Sequence, residues 1–288
     1  MKTPLLIKRL LTNKCRLCLV LLLTCALPSH AVLVPCSEDF NAVTTPALPE
    51  GWTAISQPSY YPDQVVTTII NYSTNNIAVS ISNYIQGSIA EYMLISPEIS
   101  NLNNSLLHFK ACNGSQYPAT LLVGYMTDPK DPGTFVPLQK IEHMPYFTMA
   151  SQATGFYDLP AEARYVAFRH GNILEGESNI PIRIDDFELE IMPANPAPSN
   201  LYGLGTSASS ADLSWSENGK ALKWEIRYGA KDFDPSTEGT SLLVENPPSA
   251  TLENLNDFSF YDFYVRSILA DLSQSEWTGP VSFGTYQQ

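Results

Sequence analysis

The chain has 288 residues and a formal net charge of −13, from 16 Lys and Arg against 29 Asp and Glu. Hydrophobic residues make up 44% of it and charged residues 16%, a composition typical of a folded chain rather than a disordered one. The acidic excess argues against binding to nucleic acid or anionic membranes, because clustered Lys and Arg hold phosphates. At roughly 100–200 residues per domain, one large or two medium domains are expected.

The first 31 residues have the three parts of a secretory signal peptide. Five basic residues and no acid precede an apolar run over residues 17–27, and the small-residue site Ser29-His30-Ala31 follows. The apolar run is much shorter than the roughly 20 residues that span a bilayer, which argues against a membrane anchor. Cys25 allows a lipoprotein signal, but Thr24 is bulkier than the residue that usually precedes a lipidated Cys. We therefore predict cleavage after Ala31.

Cleavage makes the exported chain more acidic and leaves two cysteines. It removes five basic residues and no acid, so 16 less 5 leaves 11 basic against 29 acidic residues, a net charge of about −18. Cys36 and Cys112 remain, and an oxidising compartment permits a disulfide between them. Two buried free thiols fit the sequence equally well. We expect the protein to be secreted or at the cell surface, with no membrane insertion after cleavage.

From Val32 onward the sequence has the pattern of an all-β protein. Short β-branched and aromatic runs are separated by clusters of Pro, Gly, Asn and Asp, and no amphipathic helical stretch of convincing length occurs. Clear strand candidates are residues 64–70, 77–81, 106–109, 119–125, 165–168 and 182–189.

The strand candidate at residues 182–189 is the most informative. Apolar and polar residues alternate along it, which predicts Ile182, Ile184 and then Phe187 or Leu189 facing a core. The pair Asp185-Asp186 interrupts the period of two, and such an interruption predicts a β-bulge.

A Pro-rich segment divides the strand pattern into two parts. Residues 193–198 contain three prolines, so they can neither join a central strand nor continue a helix. Such a segment is typical of a semi-rigid linker. We predict a signal peptide at 1–31, one domain at 32–192, the linker at 193–198 and a second domain at 199–288. The alternative is one continuous sandwich with a Pro-rich crossover.

The C-terminal part, about residues 196–285, resembles a fibronectin type III domain. Trp215 stands where that family has its core Trp on the second strand, and residues 224–228 match the third strand. Leu255 precedes Tyr261 by six positions, which matches the family's tyrosine corner. The resemblance implies that the ring of Tyr261 lies in the core and that its hydroxyl bonds to nearby backbone.

Four motifs in register cover the larger N-terminal part, about residues 36–191. They are Glu-Asp-Phe-Asn at 38–41 with Leu-Pro-Glu-Gly-Trp-Thr at 48–53, Leu-Ile-Ser-Pro-Glu-Ile at 94–99, Ala-Phe-Arg-His at 167–170 and Ile-Asp-Asp-Phe at 184–187. In this order they resemble the cleaved-adhesin and MAM-like (choice-of-anchor type) jelly-roll domains of secreted bacterial surface proteins. The implied fold is a jelly-roll β-sandwich followed by a fibronectin type III β-sandwich.

The same resemblance implies a calcium ion shared by the first and last strands of the jelly roll. Calcium takes roughly six to eight oxygen ligands, many of them carboxylates. Carried over by position, Asp39, Asp185 and Asp186 are the candidate ligands. Asn41 replaces the family's usual Glu and removes one charge from the set. The alternative is a solvated acidic cluster at a sheet edge.

The sequence contains no recognisable catalytic motif. It lacks Gly-x-Ser-x-Gly, His-Glu-x-x-His and a phosphate-binding loop, and after the leader only His108, His143 and His170 remain, widely spaced. Paired carboxylates could still hydrolyse glycosides. The sequence around Glu175 and Glu177 is typical of a polar loop, however, and the resemblance assigns Asp185 and Asp186 a structural role.

We therefore predict a non-catalytic secreted or surface adhesion protein that binds a glycan or an extracellular protein. The jelly roll would be the binding module and the fibronectin type III domain a spacer. An extracellular hydrolase component and a structural assembly subunit are the alternatives. The sequence does not identify the ligand, although exposed tyrosines can stack on sugars and are also common in cores. The tyrosines weighed for this role are Tyr60, Tyr61, Tyr84, Tyr117 and Tyr146.

Overall fold

The structure, a computed structural model, describes residues 31–57, 66–71, 76–82, 91–171 and 180–287. Apart from Ala31, the predicted signal peptide lies outside these residues. None of the helices in the described ranges has the length and apolar character needed to cross a membrane. The described strands are β1 (Cys36–Glu38), β2 (Thr53–Gln57), β3 (Val66–Asn71), β4 (Asn76–Ser82), β5 (Glu91–Ile95), β6 (Ser105–Asn113), β7 (Leu121–Met126), β8 (Val136–Ile141), β9 (Ala150–Phe156), β10 (Tyr165–His170), β11 (Pro181–Ile191), β12 (Ser199–Gly205), β13 (Ala211–Ser216), β14 (Lys223–Ala230), β15 (Thr240–Glu245), β16 (Ser249–Leu252), β17 (Phe260–Ile268) and β18 (Thr278–Gly284).

The first eleven strands form two antiparallel sheets. One has the order β3-β4-β11-β6-β9 with β1 added beside β11, and the other has the order β2-β5-β10-β7-β8. Alternation places Leu107, Phe109 and Ala111 of β6 in the core, while His108 and Lys110 point outward. Residues of both sheets meet in this core. The arrangement confirms the predicted jelly-roll sandwich, and its first and last strands, β1 and β11, are direct neighbours.

A β-bulge in β11 confirms the interruption predicted at the Asp pair. Asp185 lies opposite Lys110 and Glu188 lies opposite His108, so β11 has one residue more than β6 between these pairs. Asp186 takes the left-handed φ of +49°, a conformation that Asp tolerates better than most residues. The extra residue switches the core-facing positions from Ile182 and Ile184 before it to Phe187 and Leu189 after it.

The last seven strands form a second β-sandwich, as the resemblance to fibronectin type III domains implies. Sheet β12-β13-β16 faces sheet β15-β14-β17-β18, and Trp215 and Trp224 meet edge to face between them with ring centroids 5.7 Å apart. The hydroxyl of Tyr261 accepts a hydrogen bond from the backbone N–H of Asn256 at 2.8 Å. Its ring stacks on Phe283. The tyrosine corner is therefore present.

The two sandwiches touch one another directly across the Pro-rich segment. Ser199 Oγ donates to the backbone oxygen of Ala153 at 3.1 Å, which attaches β12 to β9. Gly155 approaches the backbone oxygen of Asn218 so closely that a Cβ at this position would lie 1.9 Å from it. Only a glycine allows this approach. The C-terminal sandwich is thus fixed against β9 rather than held away from it as a spacer.

Cys36 and Cys112 do not form the disulfide that the sequence permits. Cys36 lies opposite Leu189 on one side of β11, and Cys112 lies opposite Arg183 on the other. Six residues of strand separate these positions by about 20 Å, far beyond the roughly 7 Å that a disulfide allows between Cα atoms. Both are free thiols, Cys36 half-buried and Cys112 buried. Desolvation by burial raises the pKa of both thiols.

Candidate functional site

Pairing of β1 with β11 brings three of the four predicted calcium ligands together. Asp39 and Asp186 border one groove, and Asp185 lies beside them with only 3% of its surface exposed. Burial raises the pKa of Asp185 to about 6, and the negative charges of Asp186 and Asp39 act in the same direction. The backbone N–H of Asp186, which donates to Asp185 Oδ1 at 2.8 Å, and the charge of Lys110 act against it.

Lys110 supplies a positive charge within this cluster of aspartates. Lys110 Nζ lies 2.7 Å from Asp186 Oδ2, and this contact raises the pKa of Lys110. Asn41 turns away instead, and its Oδ1 accepts a hydrogen bond from the N–H of Ile77 in β4 at 2.9 Å. Across the described part of the chain, no three His, Cys, Asp or Glu residues gather in a way that could hold a metal. As placed, the predicted ligands do not fit calcium, because one is paired with Lys110 and one faces elsewhere.

The groove beside this cluster is open and acidic. It has a volume of about 950 Å³ and lies on the outer face of β1, β11, β6 and β9. His108 Nε2 lies 3.0 Å from Glu190 Oε1, and Lys110 is paired with Asp186, so two of the acids have cationic or polar partners. Asp185, the carboxyl with the raised pKa, does not border the groove.

The three histidines weighed for catalysis do not assemble into a site in the described part of the chain. His170 is buried, with Nε2 2.7 Å from the backbone oxygen of Ile180. His143 stacks on Tyr202, 3.6 Å between ring centroids, and His108 belongs to the groove. Glu175 and Glu177 lie outside the described residues. The three histidines therefore have separate environments.

An aromatic patch forms near the end of β6. We use this name for Tyr117, Tyr146 and Phe147, whose surfaces are 61%, 57% and 37% exposed. Asn113 joins their loops, since its Nδ2 donates to the backbone oxygen of Tyr117 at 2.6 Å and its own backbone oxygen accepts from the N–H of Phe147 at 2.8 Å. The Arg183 guanidinium lies 4.6 Å from the Phe147 ring centre.

Two of the five tyrosines considered for sugar binding, Tyr117 and Tyr146, thus lie in the loops that Asn113 joins. Tyr146 and Phe147 meet edge to face with ring centroids 4.4 Å apart. Phe147 was not predicted from the sequence, although it directly follows Pro145-Tyr146 in a segment without strand alternation. Tyr60, Tyr61 and Tyr84 lie outside the described residues.

A second opening, which we call the interdomain cleft, lies between the sandwiches. Its volume is about 570 Å³. The jelly roll contributes the segment from Lys140 to Pro145 and the start of β9, and the other sandwich contributes parts of β12, β13 and β18. The stacked rings of His143 and Tyr202 join its two sides. Pro145 borders the cleft and directly precedes Tyr146, so the cleft adjoins the aromatic patch.

No protein-family profile and no curated protein sequence matches this chain. Among solved structures, it is similar to the K1 cleaved adhesin domain of Lys-gingipain from Porphyromonas gingivalis W83, with 21% identity over 56% of this chain and 99% of that one, at a TM-score of 0.42. The K2 cleaved adhesin domain of Lys-gingipain gives 18% identity over 54% and 99% of the two chains, at 0.42. The fn3 domain of human contactin 1 gives 21% over 33% and 81%, at 0.30. These are the two kinds of domain that the motifs resemble.

Proposed function

We propose that the chain is an exported, non-catalytic adhesion module whose jelly roll binds a glycan on the aromatic patch. The observation that carries this proposal is that three exposed rings, Tyr117, Tyr146 and Phe147, stand on loops that Asn113 joins by hydrogen bonds. A ligand that covers exposed aromatic rings removes their apolar surface from water, which favours binding. The rings also offer apolar faces, and the two tyrosines add polar hydroxyls. The C–H faces and hydroxyls of a sugar complement both features.

The patch is held in place before any ligand arrives. Asn113 is 6% exposed and lies at the end of β6, where its side chain also accepts a hydrogen bond from the N–H of Ser115 at 2.9 Å. Loops fixed in this way lose little conformational entropy on binding. The cation–π contact from Arg183 orients Phe147. The arrangement supports recognition by a preformed surface.

Export is part of this proposal and rests on the predicted leader. The first residue after the expected cleavage, Val32, is joined to the fold, because its N–H donates to the backbone oxygen of Glu98 at 2.6 Å. Its own backbone oxygen accepts from the N–H of Ser100 at 3.0 Å. Cleavage after Ala31 would leave these contacts in the exported chain.

A glycan array probed with residues 32–288, followed by titration of the best binder, tests the proposal. Tyr146→Ala and Tyr117→Ala should each weaken binding about tenfold, since each removes one stacking ring. Tyr286→Ala is the matched control, because Tyr286 is 54% exposed and belongs to the other sandwich. Full binding by both patch variants, or loss of binding only in the control, would contradict the proposal.

The acidic groove favours a second candidate, an extracellular protein with a basic surface. Glu38, Asp39 and Glu188 border the groove, and the paired strands β1 and β11 carry Glu38 and Glu188. Charge complementarity of this kind steers association and weakens with salt. A partner captured by the wild type but not by Glu188→Lys, and released by moderate salt, would identify this function instead.

A further inference from the structure

We infer that the interdomain cleft is a second binding site, which takes a neutral saccharide unit between the two sandwiches. Three residues that border the cleft carry a buried polar atom without a hydrogen-bond partner. These atoms are Gln152 Oε1, Asn200 Oδ1 and Trp215 Nε1. Gln152 and Trp215 are only 7% and 5% exposed. Buried polar groups in folded proteins are nearly always paired, so three such atoms around one opening call for a common partner.

The interdomain cleft is the common neighbour of these residues. Gln152 also borders the acidic groove, and Trp215 also borders a smaller cleft beside Leu138 and Pro248. All three residues border the interdomain cleft. Asn200 has a left-handed φ of +52°, and its Nδ2 donates to Ser199 Oγ and Ser216 Oγ. The backbone and these bonds fix the amide.

The unpaired atoms define the chemistry of the ligand. Gln152 Nε2 donates to the backbone oxygen of Ala150, so the amide's oxygen is the unpaired end. Two acceptors, on Gln152 and Asn200, need donors, whereas the indole N–H of Trp215 needs an acceptor. A hydroxyl group is both donor and acceptor, so a molecule with several neighbouring hydroxyls can satisfy all three.

Charge and shape restrict the class of ligand further. Lys140 Nζ and Glu142 Oε1, the two charged residues at the jelly-roll side, pair with each other at 2.7 Å. A neutral ligand is therefore favoured over a strongly charged one. The rings of His143 and Tyr202, parallel within 6°, form an aromatic wall against which the C–H groups of a sugar can pack. The volume of about 570 Å³ is within the usual range for ligand sites.

Nuclear magnetic resonance on ¹⁵N-labelled residues 32–288 tests the site, because the indole N–H of Trp215 is itself one of the binding groups. The probes are neutral hexasaccharides of glucose, mannose and N-acetylglucosamine at millimolar concentration. We expect one of them to shift the Trp215 indole resonance in a saturable way, and Trp215→Phe assigns that resonance. Gln152→Leu should weaken this binding about tenfold without lowering the melting temperature, because it removes an unpaired acceptor.

The outcomes separate this site from the aromatic patch. Tyr146→Ala should leave the Trp215 shift unchanged, whereas it weakens binding at the patch. A probe that binds, is lost in Tyr146→Ala and leaves Trp215 unshifted would support the patch and overturn the cleft site. Absence of any Trp215 shift with all three probes overturns it as well. The cleft site is also overturned if calorimetry shows that Gln152→Leu and Trp215→Phe both bind the probe with wild-type affinity.

Discussion

Asp185 binds a proton more readily in the folded protein than in the unfolded chain. Burial raises its folded pKa to about 6 from an ordinary value of 3.8, with Asp186 and Asp39 adding negative charge and Lys110 opposing them. The folded state therefore binds more protons between these values, and the stability that Asp185 contributes is lost as pH rises from about 4 through 6. At neutral pH the buried Asp185 is ionised, and this charge lowers the free energy of unfolding.

We expect Asp185→Asn to stabilise the fold at pH 7.5 by about 1–3 kcal/mol and to have little effect at pH 4. The amide oxygen can still accept the bond from the N–H of Asp186. Urea unfolding in buffer with a chelator measures the difference, and the exposed Glu162→Gln serves as the control. Wild-type stability that is flat across this pH range would show that the carboxyl is not desolvated.

Lys110 gives the acidic cluster a cation that belongs to the chain. Its ammonium lies 2.7 Å from Asp186 Oδ2, so the wild-type melting temperature should be the same in calcium and in excess chelator. Lys110→Met should lower it in both, because two neighbouring carboxylates then lack their partner. A calcium-dependent rise in the wild type that disappears in Asp39→Asn would instead establish the metal site implied by the family resemblance.

At the scale of the element, the bulge in β11 decides which side chains reach the core. Without the extra residue, Phe187 and Leu189 would point to the opposite face from Ile184, because strand side chains alternate strictly. The left-handed backbone at Asp186 makes the switch possible. The same switch leaves Glu188 and Glu190 on the outer face, where they border the acidic groove.

Two variants with the same loss of charge measure the backbone requirement at the bulge. Asp186→Asn and Asp186→Val both remove the ion pair with Lys110, but Asn tolerates a positive φ and the β-branched Val does not. We expect Asp186→Val to be less stable than Asp186→Asn by about 1–3 kcal/mol in urea unfolding. Equal stability of the two variants would mean that the bulge can form with any residue.

At the scale of the whole molecule, contact between the sandwiches makes them one unit with a cleft. Ser199, Asn218 and Gly155 join the C-terminal sandwich to β9. Lys220 Nζ adds an exposed ion pair with Asp158 Oδ1 at 2.8 Å, and such pairs contribute little. The close backbone approach at Gly155 and the Ser199 hydrogen bond therefore matter more to this contact than the ion pair does.

Gly155→Ala should separate the two sandwiches, because its Cβ would lie 1.9 Å from the backbone oxygen of Asn218. We expect calorimetry to show a lower first melting transition and limited proteolysis to cut sooner within residues 193–198. Gly133→Ala is the control, since the nearest atom to its Cβ would be the movable Asp131 side chain at 3.1 Å. An unchanged melting profile and protease resistance in Gly155→Ala would show that the contact does not couple the sandwiches.

Local pattern was sufficient to predict the all-β class and the bulge at Asp185-Asp186. Alternation along a strand is a property of the chain itself, so it can be read before folding. The core Trp215 and the corner Tyr261 followed from the resemblance to fibronectin type III domains. The neighbouring position of β1 and β11 followed from the family resemblance.

Tertiary structure alone decided which distant residues became partners. The register along β11 separates Cys36 from Cys112, and pairing of β6 with β11 places Lys110 beside the aspartates. Docking of β12 on β9 brings the unpaired atoms of Gln152 and Asn200 to one cleft. These partners lie tens of residues apart in the sequence. Their proximity depends on strand register and on contacts between whole sandwiches, which no local alternation of residues encodes.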